Sequence, residues 1–178
     1  AVFPKKFGGK YAFLHRLNDS IWLDFVEDLE FGNNRWLGGN IIMGPRQEPP
    51  GTLKIGIAAP PIATESGWLL LYHVVAKKEA LCYYLNAALL DRDSPSRVLA
   101  RGKNPILEPL MSYEKEGQVA NVVFPCGAVI IDSKLFVYYG AADQVIGLAT
   151  LELRKLLRSL RLDSKADICA LLPGVVGK

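Results

Sequence analysis

Short runs of β-branched and aromatic residues recur along most of this chain, and small turn-forming residues separate them. Glycine, proline, asparagine and aspartate bound the runs, as is typical of strands joined by tight turns. The pattern predicts strands at Tyr11–Leu14, Ile21–Phe25, Lys54–Ile57, Trp68–His73, Tyr83–Leu90, Val122–Phe124, Ala128–Ile131, Leu135–Tyr139 and Val145–Leu148. Pro125 is expected to break the sixth run. Many short strands with evenly spaced turns predict an all-β fold, either a sandwich or a propeller.

One helical pattern follows the strands. Leucines with the spacing i, i+3, i+4 and i+7 alternate there with basic residues, and they are Leu153, Leu156, Leu157 and Leu160. Thr150 can cap such a helix, and Glu152 suits its first turn. We therefore expect a C-terminal amphipathic helix over about residues 151–161, packed on the sheets.

A loose internal repeat favours the propeller over the sandwich. Segments that begin at Gly9, Gly67 and Lys134 each run from a turn through apolar residues to a polar group. Their separations are those of one propeller blade or slightly more. The repeat therefore predicts stacked blades within a single domain, residues 1–178.

The composition is that of a folded domain with a sizeable core, because half of the 178 residues are hydrophobic. No apolar run approaches the roughly 20 residues of a membrane span. The first residues also lack the basic-then-apolar order of a secretory signal. Three cysteines, Cys82, Cys126 and Cys169, lack metal-ligand spacing and favour a reducing, cytoplasmic compartment.

The net charge of +3 comes from the C-terminal segment. Residues 151–178 carry six Lys and Arg against three Asp and Glu, while the rest of the chain is balanced. A cationic helix alone is a weak indication of nucleic-acid binding, and no interleaving of aromatic and basic residues accompanies it. We expect neither nucleic acid nor a membrane as a partner.

Two strand-like runs between residues 118 and 148 each carry one polar group in apolar surroundings. These groups are Asn121 and Asp143. Asp143 follows a glycine and two alanines just past a strand end, where small residues allow a ligand to approach the backbone closely. A pair of sugar hydroxyls, or a catalytic group, is the kind of partner that such a position would hold.

Five motifs occur in a fixed order: Lys54-Ile-Gly, Gly67-Trp-Leu-Leu-Leu-Tyr-His, Ala87-Ala-Leu-Leu-Asp, Asn121-Val-Val-Phe-Pro-Cys-Gly and Tyr138-Tyr-Gly-Ala-Ala-Asp. Together they resemble glycoside hydrolase family 130, the β-mannoside phosphorylases and related β-mannosidases. The resemblance runs from Phe3 to about Leu160 and implies a five-bladed β-propeller. Family members are about twice this long, so the resemblance implies that residues 1–178 are the C-terminal half, ending in the amphipathic helix.

The resemblance also implies a reaction. In the family, a phosphate dianion attacks the anomeric carbon of a β-mannoside with inversion and releases mannose 1-phosphate. The general-acid aspartate lies upstream of residue 1, so no catalytic residue is expected within this chain. No metal or organic cofactor is implied, and inorganic phosphate is the co-substrate. The open edges of half a propeller imply a homo-oligomer or association with a missing N-terminal half.

Three residues match the phosphate pocket of the family: Arg16, Lys54 and His73. The guanidinium fork of arginine can hold two phosphate oxygens, lysine supplies a point charge, and histidine can donate a hydrogen bond. Taken alone, Arg16 could instead form a surface ion pair with Asp19, and His73 could be a hydrogen-bonded core residue. Lys54 lies in an apolar run, which is an unusual place for a solvated lysine.

Four residues are expected to contact the mannosyl unit. Asn121 and Asp143 match sugar-binding residues of the family, and an aspartate can accept hydrogen bonds from two adjacent hydroxyls. Both could instead be turn residues. Phe124 and Tyr83 could present ring faces to the sugar or pack in the core. The resemblance argues for substrate binding by Asp143 rather than for catalysis as an acid.

The expected function is therefore that of a cytoplasmic glycoside phosphorylase acting on β-mannosyl oligosaccharides. Two alternatives stay open: a β-mannosidase of the same fold, in which a carboxylate activates water, and a non-catalytic sugar-binding or assembly fragment. The three phosphate-binding candidates favour phosphorolysis, because a water nucleophile needs no cationic cradle. Without the upstream aspartate, the chain alone is expected to have negligible turnover.

Overall fold

The structure, a computed structural model, describes residues 1–31, 37–46, 51–77 and 80–162. Cys169 lies outside these ranges. Within them, neither Cys82 nor Cys126 forms a disulfide. None of the helices in the described residues is long and apolar enough to cross a membrane.

Strands dominate the described residues. They are Val2–Phe7 (β1), Lys10–Leu17 (β2), Ser20–Val26 (β3), Asn40–Met43 (β4), Thr52–Ile57 (β5), Ile62–Thr64 (β6), Gly67–Lys77 (β7), Leu81–Leu90 (β8), Val98–Arg101 (β9), Val123–Ile131 (β10), Lys134–Ala141 (β11) and Val145–Glu152 (β12). A one-turn helix, Ser112–Lys115 (α1), precedes β10, and a longer helix, Leu153–Leu162 (α2), follows β12. The all-β prediction with a C-terminal helix is confirmed.

The strands form three antiparallel sheets. The first sheet has the order β1-β2-β3-β4, the middle sheet the order β5-β7-β8-β9 with β6 also on β7, and the third sheet the order β10-β11-β12. The three repeated segments of the sequence become β2, β7 and β11, each the second strand of its sheet. Each sheet is thus one unit of the repeat.

The middle sheet is covered on both faces. Successive residues of a strand point to opposite sides. Leu69 and Leu71 therefore pack towards the third sheet and α2, with Leu135 and Leu156. On the other side Leu70 packs in a second cluster, which joins residues of the middle sheet to residues of the first sheet such as Leu14 and Ile21. The three sheets consequently stack face to face, as consecutive blades do.

Two arginines join the first and middle sheets. Arg101 donates from Nε to the Tyr72 hydroxyl at 2.9 Å and from Nη1 to the Gly44 carbonyl at 2.7 Å. Arg46 donates to the carbonyls of Arg101 and Gly102 at 3.0 and 3.1 Å. These bonds supply donors to acceptors that the stacked sheets remove from water.

The predicted start of the C-terminal helix was wrong. The helix begins at Leu153 rather than at 151, because Thr150 and Glu152 continue β12 opposite Phe136 and Lys134. Thr150 is therefore a strand residue and not a cap. The leucine stripe itself is confirmed, since α2 places Leu156 and Leu160 in the core and packs Leu153 and Leu157 against it.

Pro125 does not end its strand. It lies inside β10 opposite Tyr139, next to a register shift, and the two predicted strands on either side are one strand. A proline is tolerated there because β10 is an edge strand. No neighbouring strand lies along its outer side to accept a hydrogen bond from a backbone N–H. Four short strands were not predicted: β1, β4, β6 and β9.

Candidate functional site

The pairing of β5 with β7 brings the motif residues of both strands to one face. Gly56 lies opposite His73, and Lys54 lies opposite Val75. Val75 in turn lies opposite Tyr83 in the β7–β8 pairing. Because directly opposed residues share a sheet face, Lys54, His73 and Tyr83 belong to the same side of the middle sheet.

Arg16 reaches this face from the end of β2. The β2–β3 turn is tied to β5, since the Ile55 N–H donates to the Asp19 carbonyl at 2.9 Å. A Cβ atom built on Gly56 would lie 2.5 Å from Cε1 of His73 and 3.0 Å from Cδ of Arg16. The imidazole and the arginine stem therefore flank Gly56, and both fit because residue 56 has no side chain.

The guanidinium of Arg16 is exposed and donates from Nη1 to the Asn18 carbonyl at 2.7 Å. The two described residues Arg16 and Asp19 form no ion pair with each other; Asp19 accepts a hydrogen bond from the Ser20 hydroxyl instead. The surface pair that the sequence left open is thus not formed. The positive charge of Arg16 remains uncompensated by its neighbour Asp19 on the same turn.

His73 is a buried histidine beside two cations. It is 8 % exposed, and burial, followed by the positive charges of Arg16 and Lys54, lowers the pKa of its imidazole to about 4. The ring is therefore neutral at pH 7. Its Nδ1 atom has no hydrogen-bond partner among the residues that the structure describes. A neutral imidazole in a positive field is suited to an anion, whose charge would offset that of both neighbouring cations.

An aromatic wall adjoins this cluster. The Phe124 ring lies 4.7 Å from the His73 ring, centroid to centroid, and 6.3 Å from the Tyr83 ring. Phe124 is 38 % exposed, so its ring is only partly used in packing. Exposed aromatic surface beside polar groups is the arrangement that lets a sugar stack its C–H face while its hydroxyls are hydrogen-bonded.

Asn121 and Asp143 lie on two neighbouring backbone turns at the same end of the third sheet. The Tyr83 N–H donates to the Asn121 carbonyl at 2.9 Å, and the Ala142 N–H donates to the Val122 carbonyl at 3.0 Å. Asn121 and Asp143 have φ angles of 59° and 52°, in the left-handed region that asparagine and aspartate tolerate best among non-glycine residues. Both are turn residues at this end of the third sheet.

The structure thus brings Arg16, Lys54, His73, Phe124 and Tyr83 into one cluster, which we call the candidate site. Asn121 borders it through its backbone contact with Tyr83, and Asp143 follows Ala142, whose N–H donates to the Val122 carbonyl. Sequence reasoning missed Gly56 as a site residue, although a glycine inside a strand often marks a close approach of other groups. It also missed Glu114, because no pattern in the sequence indicates that this carboxylate is buried.

A cavity of about 1230 Å³ lies at the opposite end of the sheets, between the β6–β7 turn, the β10–β11 turn and α2. None of the predicted site residues lines it. Within the described ranges, no group of three or more His, Cys, Asp or Glu side chains is placed to hold a metal ion.

Residues 1–162 match the model of the Glyco_hydro_130 family, described as beta-1,4-mannooligosaccharide phosphorylase. This chain belongs to glycoside hydrolase family 130. Among curated members of family 130, a 1,2-beta-oligomannan phosphorylase of Thermoanaerobacter sp. (strain X514) is 45 % identical over 154 residues, which are 86 % of this chain and 50 % of the relative. A beta-1,2-mannobiose phosphorylase of Listeria innocua is 39 % identical over 171 residues, 92 % of this chain and 46 % of the relative.

Solved structures of family 130 agree with this assignment. The L. innocua beta-1,2-mannobiose phosphorylase in complex with beta-1,2-mannobiose aligns with a TM-score of 0.80 at 38 % identity, over 90 % of this chain and 46 % of that one. A structure from work on family-130 hydrolases that target beta-1,2 mannosidic linkages in Candida mannan aligns with a TM-score of 0.70 at 26 % identity, over 84 % and 45 %. The chain spans about half the length of the curated relatives it matches, and its fold is part of a five-bladed β-propeller.

Proposed function

We propose that residues 1–178 are the phosphate- and sugar-binding half of a β-mannoside phosphorylase, which cleaves its substrate with inorganic phosphate and releases mannose 1-phosphate. The observation that carries the proposal is the placement of Arg16 and Lys54 around a buried, neutral His73. A hydrolase has no need of such a cluster, because its nucleophile is an uncharged water molecule. A phosphate dianion, in contrast, must be desolvated and held beside a sugar.

Each member of the cluster has a distinct role in this proposal. Arg16 binds two phosphate oxygens with its guanidinium fork, and Lys54 adds a single charge-assisted hydrogen bond. His73, neutral at pH 7, donates one N–H to a phosphate oxygen without adding a third positive charge. The bound phosphate is thereby aimed at the anomeric carbon from one side, as an inverting displacement requires.

The sugar-binding role falls to the residues at the mouth of the site. Asp143 and Asn121 hydrogen-bond the mannosyl hydroxyls, and Phe124 and Tyr83 supply ring surface. The general acid is supplied by the part of the polypeptide that corresponds to the other half of the relatives. The reaction in this proposal uses phosphate as co-substrate and no metal or organic cofactor.

We also propose a β-1,2 linkage for the substrate. Three relatives described as acting on β-1,2-linked mannosides are 45, 46 and 39 % identical to this chain, whereas a beta-1,4-mannooligosaccharide phosphorylase of Ruminococcus albus is 33 % identical. The residues that contact the acceptor sugar determine which linkage is cleaved. In this proposal some of those residues belong to this half, so its similarity to β-1,2-acting relatives favours a β-1,2 linkage.

The partner in this proposal is the rest of the propeller. Apolar side chains cover the face of the third sheet that points away from the middle sheet, including Val129, Tyr138, Leu148 and Ile146, which is 82 % exposed. On the first sheet, Trp22 Nε1 and His15 Nε2 are buried atoms without a hydrogen-bond partner among the described residues. Both features fit a face that another blade covers and whose polar atoms pair across the contact.

The test uses the complete enzyme, by which we mean residues 1–178 joined to, or co-expressed with, the remainder of the phosphorylase. β-1,2-Mannobiose and β-1,4-mannobiose are each incubated with and without inorganic phosphate, and the products are separated by anion-exchange chromatography. We expect mannose 1-phosphate to form only with phosphate, and faster from the β-1,2-linked substrate. Free mannose released at the same rate in both conditions would instead identify a hydrolase.

A second candidate function is that of a non-catalytic sugar-binding fragment, since our proposal assigns the general acid to the part of the relatives that this chain does not cover. We expect the isolated 178-residue chain to bind inorganic phosphate weakly and to cleave no mannobiose. Addition of the complementary half separates the two cases, because phosphorolysis of mannobiose then appears only if the chain is half of a phosphorylase. Cleavage by the isolated chain would contradict the assignment of the general acid to the other half.

A further inference from the structure

Glu114 is a carboxylate enclosed in protein, and the reaction proposed above assigns it no role. The residue is 2 % exposed. Its Oε2 atom accepts hydrogen bonds from the backbone N–H groups of Leu110 and Met111, both at 2.8 Å. Its Oε1 atom accepts a hydrogen bond from the Tyr139 hydroxyl at 2.7 Å. Three hydrogen-bond donors thus satisfy the buried carboxylate of Glu114. Burial of a charged group without such donors would cost much free energy.

Tyr139 is held as firmly as Glu114. Its ring lies across Gly147 of β12, where an added Cβ would fall 2.7 Å from the phenolic oxygen. Burial, together with hydrogen bonds to Tyr113 and Glu114, raises the pKa of the Tyr139 hydroxyl well above its ordinary value. The hydroxyl is therefore protonated at neutral pH and donates to Glu114.

The backbone of Glu114 leads directly to the sugar-binding turns. The Glu114 carbonyl accepts from the Val122 N–H at 3.0 Å, and the carbonyl of the next residue accepts from the Asn121 N–H at 3.3 Å. The Val122 carbonyl in turn accepts from the Ala142 N–H at 3.0 Å, beside Asp143. The backbone of Glu114 is therefore one hydrogen bond from the turn of Asn121 and two hydrogen bonds from the turn of Asp143.

The turns need such support. Asn121, Ala142 and Asp143 have φ angles of 59°, 48° and 52°. A non-glycine residue in this region costs about 1 kcal/mol or more and persists only where its surroundings hold it. The helix that carries Glu114, Ser112–Lys115, is a single turn and is too short to be stable without external contacts.

We propose that Glu114 and Tyr139 are positioning residues for the sugar-binding end of the site. The buried carboxylate fixes α1, and α1 fixes the two left-handed turns that present Asn121 and Asp143. This inference rests on the proposed mannoside-binding role of those two residues. Neither Glu114 nor Tyr139 contacts Arg16, Lys54 or His73. The pair therefore affects the binding of the mannoside and not the binding of phosphate.

The experiment compares Glu114→Gln and Tyr139→Phe with the wild-type complete enzyme. The control is Glu116→Gln, which removes an exposed carboxylate two residues further along the same loop. Glutamine keeps the shape of the side chain and one acceptor oxygen but cannot accept from both the backbone pair and the tyrosine. KM for mannobiose, KM for phosphate, kcat and the melting temperature are measured for each variant.

We expect a rise of about tenfold in the KM for mannobiose in Glu114→Gln and a smaller rise in Tyr139→Phe, with the KM for phosphate unchanged. Glu116→Gln should match the wild type. A purely structural role would lower the melting temperature and the yield of active enzyme while leaving both KM values alone, and that outcome overturns the inference. An equal rise in both KM values overturns it as well.

Failure of the proposed function is a separate result. If the wild-type enzyme releases mannose without phosphate, phosphorolysis is wrong, but the KM for mannobiose is still measurable in all four proteins. If Glu114→Gln does not fold, Tyr139→Phe decides the question, because it removes a single oxygen atom from the same hydrogen bond.

Discussion

Gly56 lies directly opposite His73 in the β5–β7 pairing, and the imidazole ring occupies the space that a side chain on residue 56 would need. The backbone of Gly56 has no left-handed φ angle, so the requirement for glycine is steric and not conformational. On its other side lies the stem of Arg16. The position of one glycine therefore determines how closely two phosphate-binding candidates approach each other.

Replacement of Gly56 by alanine should consequently disturb the phosphate pocket. The added methyl would lie 2.5 Å from His73 Cε1, so the ring must move. We expect the KM for phosphate in the complete enzyme to rise by about tenfold or more, with a smaller change in the KM for mannobiose. Gly127→Ala is the control, because nothing lies within 4 Å of the atom it adds. Equal KM values for phosphate in Gly56→Ala and Gly127→Ala would contradict a role for His73 in phosphate binding.

Lys54 should contribute one charge-assisted hydrogen bond to phosphate. Loss of such a bond costs about 1.5–3 kcal/mol, so Lys54→Ala is expected to raise the KM for phosphate by about tenfold or more in initial-rate assays. Lys10→Ala removes a surface lysine that pairs with Glu27 at 3.7 Å and serves as the matched control. An unchanged KM for phosphate in Lys54→Ala would contradict the assignment.

The stability of the chain should depend on pH through His73. Its folded pKa of about 4 lies below the ordinary value of 6.5, so between these values the unfolded chain binds more protons than the folded one. The free energy of unfolding therefore falls as the pH is lowered from about 6.5 to 4. Urea unfolding at pH 7 and pH 5 should show a smaller loss for His73→Gln than for the wild type. A larger loss in the variant would mean that the imidazole is not held neutral by burial and by the charges of Arg16 and Lys54.

Arg101 should be a stabilising residue between the first and middle sheets. Arg101→Met keeps the aliphatic bulk but leaves the buried Tyr72 hydroxyl and the Gly44 carbonyl without their donor. We expect a loss of about 2–4 kcal/mol in the free energy of unfolding, measured by urea denaturation. Arg97→Met, at an exposed position nearby, should change it by less than about 0.5 kcal/mol. Similar losses in both variants would argue against a specific role for Arg101.

The outward face of the third sheet should bind the rest of the propeller. Ile146→Asp places a charge at its most exposed apolar position. We expect at least a tenfold weaker association with the complementary half, measured by isothermal titration calorimetry. Leu99→Asp, on β9 at the edge of the middle sheet, is the control. If Leu99→Asp weakens association more than Ile146→Asp, the contact lies on the middle sheet instead.

Several of the strands that sequence patterns predicted are long runs of core residues. Trp68–His73 and Tyr83–Leu90 are long apolar runs, and both lie in the middle sheet as β7 and β8. The missed strands are short, and β9 has only four residues, none of which is fully buried. Such segments are strands because a neighbour offers hydrogen bonds, and that neighbour is not visible in the local sequence.

The residues of the candidate site also divide into those that the sequence indicated and those that it did not. Arg16, Lys54 and His73 were singled out because they match the phosphate pocket of the family, and the fold places them close together. Glu114 carried no signal, since a Tyr-Glu pair in a polar loop is typical of an exposed turn. Its burial depends on Tyr139, which is 25 residues away in sequence. Contacts of this kind follow from the stacking of blades and not from local periodicity.

Ten of the eleven residues of β7 are buried, because this strand belongs to the cores on both of its sides. Its amide protons should accordingly be among the slowest to exchange with deuterium in the described part of the chain, since exposing them requires both neighbouring sheets to separate. His73 is anchored in that strand, whereas Asn121 and Asp143 sit on turns at a sheet end. The proposed anion site is thus anchored in a strand that is buried on both faces, whereas the proposed carbohydrate contacts depend on turns at the end of another sheet.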